Sequence, residues 1–271
     1  NPIGYFDTGE FDTEEFKSDT KMRDKVVASR SGVNDDYVYE VVMPIDGSIF
    51  TSNQNLPTNT AVELSYERAD SKFSTLLSDT LAQNPTPDVL ALEDAYILVP
   101  YTIDTELQEA EKIAVSQPIK IKYDDYVINR FNIPKDSPNI RLANVISGPL
   151  PEKIFYGIME LDSYTGNFNK SSAKFQPHGV KKSTLYVDGN VLSGYPIQIE
   201  ENAITIPFVR FQENTNRFMN CYSSRVLSQK DFKTYHFLFS AKLDGSSSGS
   251  LTFEFDFDTA PEKELVLIIC S

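Results

Sequence analysis

The chain has 271 residues, 40% of them apolar and 24% charged, and carries a formal net charge of -14. That length buries a substantial core in one large or two small domains, and the composition is that of an ordered globular protein rather than a disordered chain. The acidic balance excludes a sequence-independent grip on duplex nucleic acid, which is built from clustered Lys and Arg, so any contact with a genome requires a basic partner.

No stretch approaches eighteen consecutive apolar residues. The acidic, polar opening from Asn1 to Glu15 also lacks the basic-then-apolar pattern of a signal peptide, so neither a membrane span nor secretion is expected. Cys221 and Cys270 lack metal-ligand spacing and read as free buried thiols in a reducing compartment. A first residue of Asn rather than Met is what a processed product or a portion of a longer protein would show.

The opening, with Gly4, Phe6, Gly9, Phe11 and Phe16 among acids, reads as extended or irregular. Beyond it, Phe, Tyr, Val and Ile recur in short runs broken by Gly, Pro, Asn and Asp, which is the punctuation of an all-β sandwich. Alternation predicts strands at Tyr37 to Met43, Ala61 to Arg68, Ala95 to Ile103, Ile119 to Phe131, Lys153 to Leu161, Ser183 to Val187, Thr234 to Lys242, Ser250 to Phe257 and Glu264 to Cys270. The clearest case places Leu251, Phe253, Phe255 and Phe257 on one face and Thr252, Glu254, Asp256 and Asp258 on the other. One face is core; the other is wet or covered by a partner.

Three stretches depart from this pattern. Ser71 to Asp88 predicts one helical turn, ended by Pro85 and Pro87. Asp104 to Ser116 has helix formers with Leu107, Ala110, Ile113 and Ala114 at helical spacing, and predicts a helix joining two β modules. Phe208 to Asp231 holds Arg210, Arg217 and Arg225 among Asn, Ser and aromatics, and predicts a loop with short helical turns whose arginines meet acidic groups across a subunit contact. Turn chemistry predicts hairpins at Asp188-Gly189-Asn190, Asp244-Gly245 and Thr259 to Glu262, the last making the two final strands antiparallel neighbours.

Chemistry-bearing motifs are sparse. His178 and His236 are the two histidines; the first reads as a loop residue and the second as a half-buried strand residue. With no Gly-x-Ser-x-Gly and nothing to bring Cys221 beside either histidine, no catalytic residue is assigned. Glu254, Asp256 and Asp258 lack the glycine and ligand spacing of a calcium loop, so no metal site is assigned. No phosphate-binding glycine motif appears, and no cofactor is expected.

Leu92-Glu-Asp-Ala-Tyr-Ile-Leu-Val-Pro, the helix Glu106 to Val115, Gly148-Pro-Leu-Pro-Glu-Lys-Ile-Phe-Tyr-Gly-Ile-Met, Thr165-Gly-Asn-Phe-Asn-Lys, Phe175 and Leu185-Tyr-Val-Asp-Gly follow one another in a characteristic order. Then come Tyr235, Phe237 and Phe239, the Gly249 to Phe255 run, and Leu265 to Cys270. In arrangement more than identity, this order resembles the double jelly-roll major capsid proteins of Maverick/Polinton elements and adintoviruses. The likeness is weak before Ile49 and best from Leu92 onward.

The resemblance implies an all-β antiparallel jelly-roll sandwich. Residues 1–103 would be closing strands of a first barrel or an accessory β region, 104–117 a linker helix, and 118–271 the second barrel. Family members carry a complete first barrel, and only Tyr37 to Ile103 is available to close one here, so a longer full protein is expected. The implied function is structural and not enzymatic: homotrimeric, pseudo-hexagonal capsomers in the shell of a virion, meeting neighbouring capsomers and minor capsid or penton proteins. Asp162 to Lys182 and Phe208 to Asp231 would form tower or inter-subunit contacts. The alternative is a carbohydrate- or receptor-binding jelly roll using Tyr156, Tyr164, Tyr186 and Tyr195, a reading weakened by the lack of Trp. An enzyme relying on His236 or Cys221 is the third reading.

Overall fold

The computed structural model describes residues 61–65, 67, 69–74, 96–99, 126–200, 204–215, 227–243, 245 and 248–271. Their strands, in chain order, are β1 (Ile128–Ile133), β2 (Asn139–Pro149), β3 (Lys153–Glu160), β4 (Val180–Val187), β5 (Asn190–Val191), β6 (Ile197–Gln198), β7 (Phe239–Lys242), β8 (Ser248–Phe257) and β9 (Leu265–Cys270). The helices are α1 (Ser71–Ser74), α2 (Leu161–Thr165), α3 (Thr205–Asn214) and α4 (Gln229–Tyr235). The predicted strand Tyr37 to Met43, the linker helix over 104–117, and Arg217, Cys221 and Arg225 lie outside the described residues.

The protein is an all-β sandwich of two antiparallel sheets. One runs β1-β9-β3-β7 and the other β2-β8-β4-β5, with β6 also on β4. The chain changes sheet at each step from β1 to β4, and again from β6 to β7, β7 to β8 and β8 to β9. Strands distant in sequence therefore become neighbours.

Alternation along β8 buries Leu251, Phe253, Phe255 and Phe257 against the facing sheet. Tyr156 of β3 meets them across the gap, its ring 4.9 Å from Phe253 and 6.1 Å from Phe255. From there the aromatic core continues without a break. Phe239 stacks on Tyr156 at 5.0 Å, Phe237 meets Phe239 edge-on at 5.1 Å, and Phe232 of α4 lies 5.3 Å from Phe237. Phe211 of α3 closes the line 5.5 Å from Phe232, so both helices are fastened to the sandwich by rings. Each fully buried Phe contributes roughly 2–3 kcal/mol of apolar transfer.

The expected hairpin at Asp188 forms, with left-handed Asp188 (φ 48°) and Gly189 (φ 79°) joining β4 to β5. This double positive φ is what a two-residue primed turn demands.

Several expectations are corrected. The last two strands are not neighbours, because β8 is flanked on both sides by β2 and β4, while β9 sits between β1 and β3. The segment around Gly245 is likewise a crossing between sheets rather than a hairpin, since β7 and β8 lie in different sheets. Thr234 and Tyr235 are helical, not strand. Ser228 starts α4, its hydroxyl accepting from the Asp231 backbone N–H at 3.0 Å, and the strand begins only at Phe239. Phe208 falls within a ten-residue helix rather than a loop. The described residues of 61–68 and 95–103 belong to no strand; β1 covers Ile128–Ile133, and residues 119–125 of the expected run from Ile119 lie outside the described ones. Conversely, β2 was not expected: a bulge between Leu142 and Ile146 shifts its register and hides the alternation.

Candidate interaction face

The two outer faces of the sandwich differ in chemistry. On the β2-β8-β4 sheet the cross-strand rows are Asn139, Asp256 and Lys182, then Arg141, Glu254 and Thr184, with Tyr186 opposite Thr252. Lys182 Nζ reaches Asp256 at 3.0 Å, Tyr186 donates to Glu254 at 3.0 Å, and the Arg141 guanidinium lies 5.2 Å from the Tyr186 ring centre. Its charges are paired within the face, so hydration costs it nothing and burial gains little.

The other sheet presents a different set. Its inward residues include Ile154, Tyr156 and Ile158 on β3, Leu265, Leu267 and Ile269 on β9, and Ile133 on β1. By alternation the outward rows are Ile128, Cys270 and Phe155, then Arg130, Ile268 and Gly157, then Asn132, Val266 and Met159. Six of these nine are apolar or cysteine. The signal was legible in Leu265 to Cys270, an unbroken apolar run of the kind found in strands covered on both faces.

Part of this outer face is already covered. Met159 and Val266 are buried, with α2 lying against β3 and β9. Gly157 faces Phe175 and Leu238 so closely that a Cβ there would stand 2.7 Å from Phe175 and 2.5 Å from Leu238. Phe155 meets Phe211 of α3 edge-on at 6.1 Å. The half over β1 and β9 remains open. Ile128 is 70% exposed and Val127 54%, while Cys270 and Ile268 are half-buried beside them. Burial pushes the Cys270 thiol above its ordinary pKa, so it is a protonated apolar group here. Arg130 folds onto Tyr164, 5.4 Å from its ring centre, at the margin.

Next to this face, Glu160 accepts from Lys170 and from Lys263, the latter at 3.1 Å, and Asp162 also accepts from Lys170. Burial raises the Glu160 carboxyl, but the two lysines outweigh it and hold the pKa at about 2. His178 lies close by at φ 46°, its Nε2 buried without a hydrogen-bond partner among the described residues. Burial lowers its pKa to about 4; Glu160 opposes this, and Lys174, Lys263 and Lys170 reinforce it.

The residues weighed for chemistry are engaged structurally. His236 sits in a one-residue bridge to Phe175 beside the Tyr235 ring. Glu254 and Asp256 hold Tyr186 and Lys182, and Asp258 lies 3.8 Å from Lys181. Among the described residues, no three His, Cys, Asp or Glu side chains converge as a cation cage. Of the tyrosines offered for sugar stacking, Tyr156 is fully buried, while Tyr164, Tyr186 and Tyr195 each carry an arginine over the ring. Arg210 donates to the Gly194 carbonyl at 2.6 Å and covers Tyr195. Among the described residues, no helix is long and apolar enough to cross a membrane. No family model matches the chain, and neither does any curated protein.

Proposed function

We propose that the chain is a structural subunit of a capsid shell and not an enzyme: a jelly-roll protein that self-associates as a homotrimer and meets neighbouring capsomers. The observation that carries this reading is the two-faced sandwich. One outer sheet face is charged and internally paired, whereas the other offers Ile128, Ile268 and Cys270 beside Val127, an apolar surface suited to a protein partner.

The strand order β1-β9-β3-β7 over β2-β8-β4-β5, with the chain crossing between sheets at most steps, supports the jelly-roll reading. Such a sandwich is a rigid block whose flanks remain available for symmetric contacts, and closed rings of identical blocks tile a shell. On this reading the barrel over 118–271 is the second of a double jelly roll, as in the Maverick/Polinton and adintovirus capsid proteins, and the virion is its location. Minor capsid or penton proteins would be further partners.

The test is the native mass of the full-length product by light scattering. A species three times the monomer mass is expected, with shells visible by electron microscopy at high concentration. A strict monomer across the micromolar range overturns the reading.

A further inference from the structure

A single turn from the part of the chain ahead of the sandwich is seated on it. Asp70 opens α1: its side chain accepts from the Lys72 backbone N–H at 3.1 Å, and its carbonyl accepts from the Phe73 N–H at 3.0 Å. An Asp that bonds the backbone two residues on builds its turn locally, so the shape of α1 is preset. Lys72 Nζ lies 5.5 Å from the centre of the Phe73 ring, which holds the charge at one end and leaves the alkyl stem to pack.

That stem lies on Gly166, the residue that ends α2. A Cβ at 166 would stand 2.6, 2.7 and 2.8 Å from Lys72 Cγ, Cδ and Cε, so three successive carbons fill the space that any other residue would need. Gly166 also has φ 93°, a backbone conformation that favours glycine. Further along the loop, Ser172 Oγ donates to the Phe73 carbonyl at 3.4 Å.

Between these two contacts the chain folds back on itself. Lys170 N–H donates to the Asn167 carbonyl at 3.2 Å, Asn169 N–H to Asn167 Oδ1 at 2.8 Å, and Ala173 N–H to Ser171 Oγ at 3.2 Å. The Lys170 side chain is paired with Glu160 and Asp162. The loop is therefore gripped by α1 at both ends and tied to the sandwich in the middle.

Magnitude decides which chain supplies the turn. One alkyl stem and one long hydrogen bond are too little to hold two separate molecules, whose stable contacts bury roughly 1,200 Å² or more. Within one chain, about ninety residues separate Phe73 from Gly166, and the entropy of closing a loop rises only slowly with its length. Tethering then supplies the local concentration that so small a contact needs.

We propose that Asp70–Phe73 is a clip of the same chain: it seats Lys72 on Gly166, joins the part of the chain ahead of the sandwich to it, and holds the Gly166–Ser172 loop in shape. The loop is thus a surface whose order depends on residues far away in sequence, and lifting Lys72 off Gly166 loosens it. The clip lies within one copy and is independent of capsomer assembly.

Hydrogen exchange on the full chain tests it. Lys72→Ala keeps a helix former but removes the stem, so the amides of Gly166, Asn169, Lys170 and Ala173 should exchange at least tenfold faster, with those of β8 and β9 unchanged. Lys72→Met keeps an unbranched stem without the charge and should retain the parent's protection. Exchange in Lys72→Ala equal to the parent's overturns the clip, and so does a Lys72→Met variant that exchanges as fast as Lys72→Ala. A second measurement assigns the chain. In a background with Cys221→Ser and Cys270→Ser, protein carrying both Phe73→Cys and Ser172→Cys is treated with a short bismaleimide, and a link within one chain is expected. Single variants that link to each other as readily when mixed give the turn to a second copy and overturn the clip; the lack of any link overturns it as well.

Discussion

The hydroxyl of Tyr156 on β3 meets Ser183 Oγ on β4 at 3.0 Å, a buried hydrogen bond that ties the two sheets through the middle of the core. Tyr156 also donates to the Tyr195 hydroxyl at 3.1 Å, which in turn donates to the Ser240 carbonyl. Burial drives the Tyr156 pKa well above its ordinary value, so the phenol stays neutral. Buried hydroxyls cost stability unless paired, and here each pairs with the next.

Tyr156→Phe keeps the ring packing on Phe239 and Phe253 but leaves Ser183 short of a partner. A loss of about 1–2 kcal/mol is expected from urea unfolding at neutral pH. Tyr156→Ala removes the ring as well and should cost about 3–5 kcal/mol. Equal losses for the two variants would mean that the hydroxyl contributes nothing.

Gly157 is fixed by close approach. A Cβ at this position would stand 2.5 Å from Leu238, 2.7 Å from Phe175 and 3.2 Å from the Phe237 carbonyl. The backbone of Phe175 is bonded on both sides, to the Tyr235 carbonyl and from the Phe237 N–H, and so has little room to retreat. Gly157→Ala is expected to destabilise by about 1–3 kcal/mol through overpacking. An unfolding midpoint unchanged from that of the parent would refute the close packing.

His178 gives the fold a defined acid dependence. Its folded pKa is about 4 against an ordinary 6.5, so between those values the unfolded chain binds more protons and stability falls as pH falls. Below about 4 the folded state takes the proton too, and this contribution levels off. The loss is on the order of 3 kcal/mol. Glu160, held down to about 2 from 4.5, adds its own loss at lower pH, from 4.5 toward 2. His178→Asn, which tolerates the left-handed backbone, should flatten urea midpoints between pH 6.5 and 4. A variant with the parent's slope in that window would rule the histidine out as its source.

The charged outer face should matter little to stability. Lys182 and Asp256 are paired at 3.0 Å but partly exposed, so Lys182→Ala is expected to cost about 0.5 kcal/mol or less. Phe253→Ala, on the same strand pair but inward, should cost about 3–5 kcal/mol. Thermal unfolding of the two variants side by side checks the contrast, and comparable losses would mean that the faces are wrongly assigned.

Local sequence determined the strands whose side chains alternate without interruption. In β8 the period of two is unbroken, and Leu251, Phe253, Phe255 and Phe257 are all core. The hairpin at Asp188-Gly189 was equally legible, because its residues suit positive φ. The strand β2 escaped because one bulge at Asn144 resets the alternation, and the start of α4 escaped because Ser228 and Asp231 cap a helix inside a run that alternates like a strand.

Which strands pair was settled only by tertiary structure. Turn residues between β8 and β9 are compatible with a hairpin, yet β9 lies between β1 and β3, where Leu265, Leu267 and Ile269 join the core. The physical reason is range. Alternation and turn chemistry act over a few residues and fix where strands form and which face is inward. Sheet membership, the Tyr156 to Ser183 bond and the contrast between the outer faces depend on burial shared among segments up to a hundred or more residues apart.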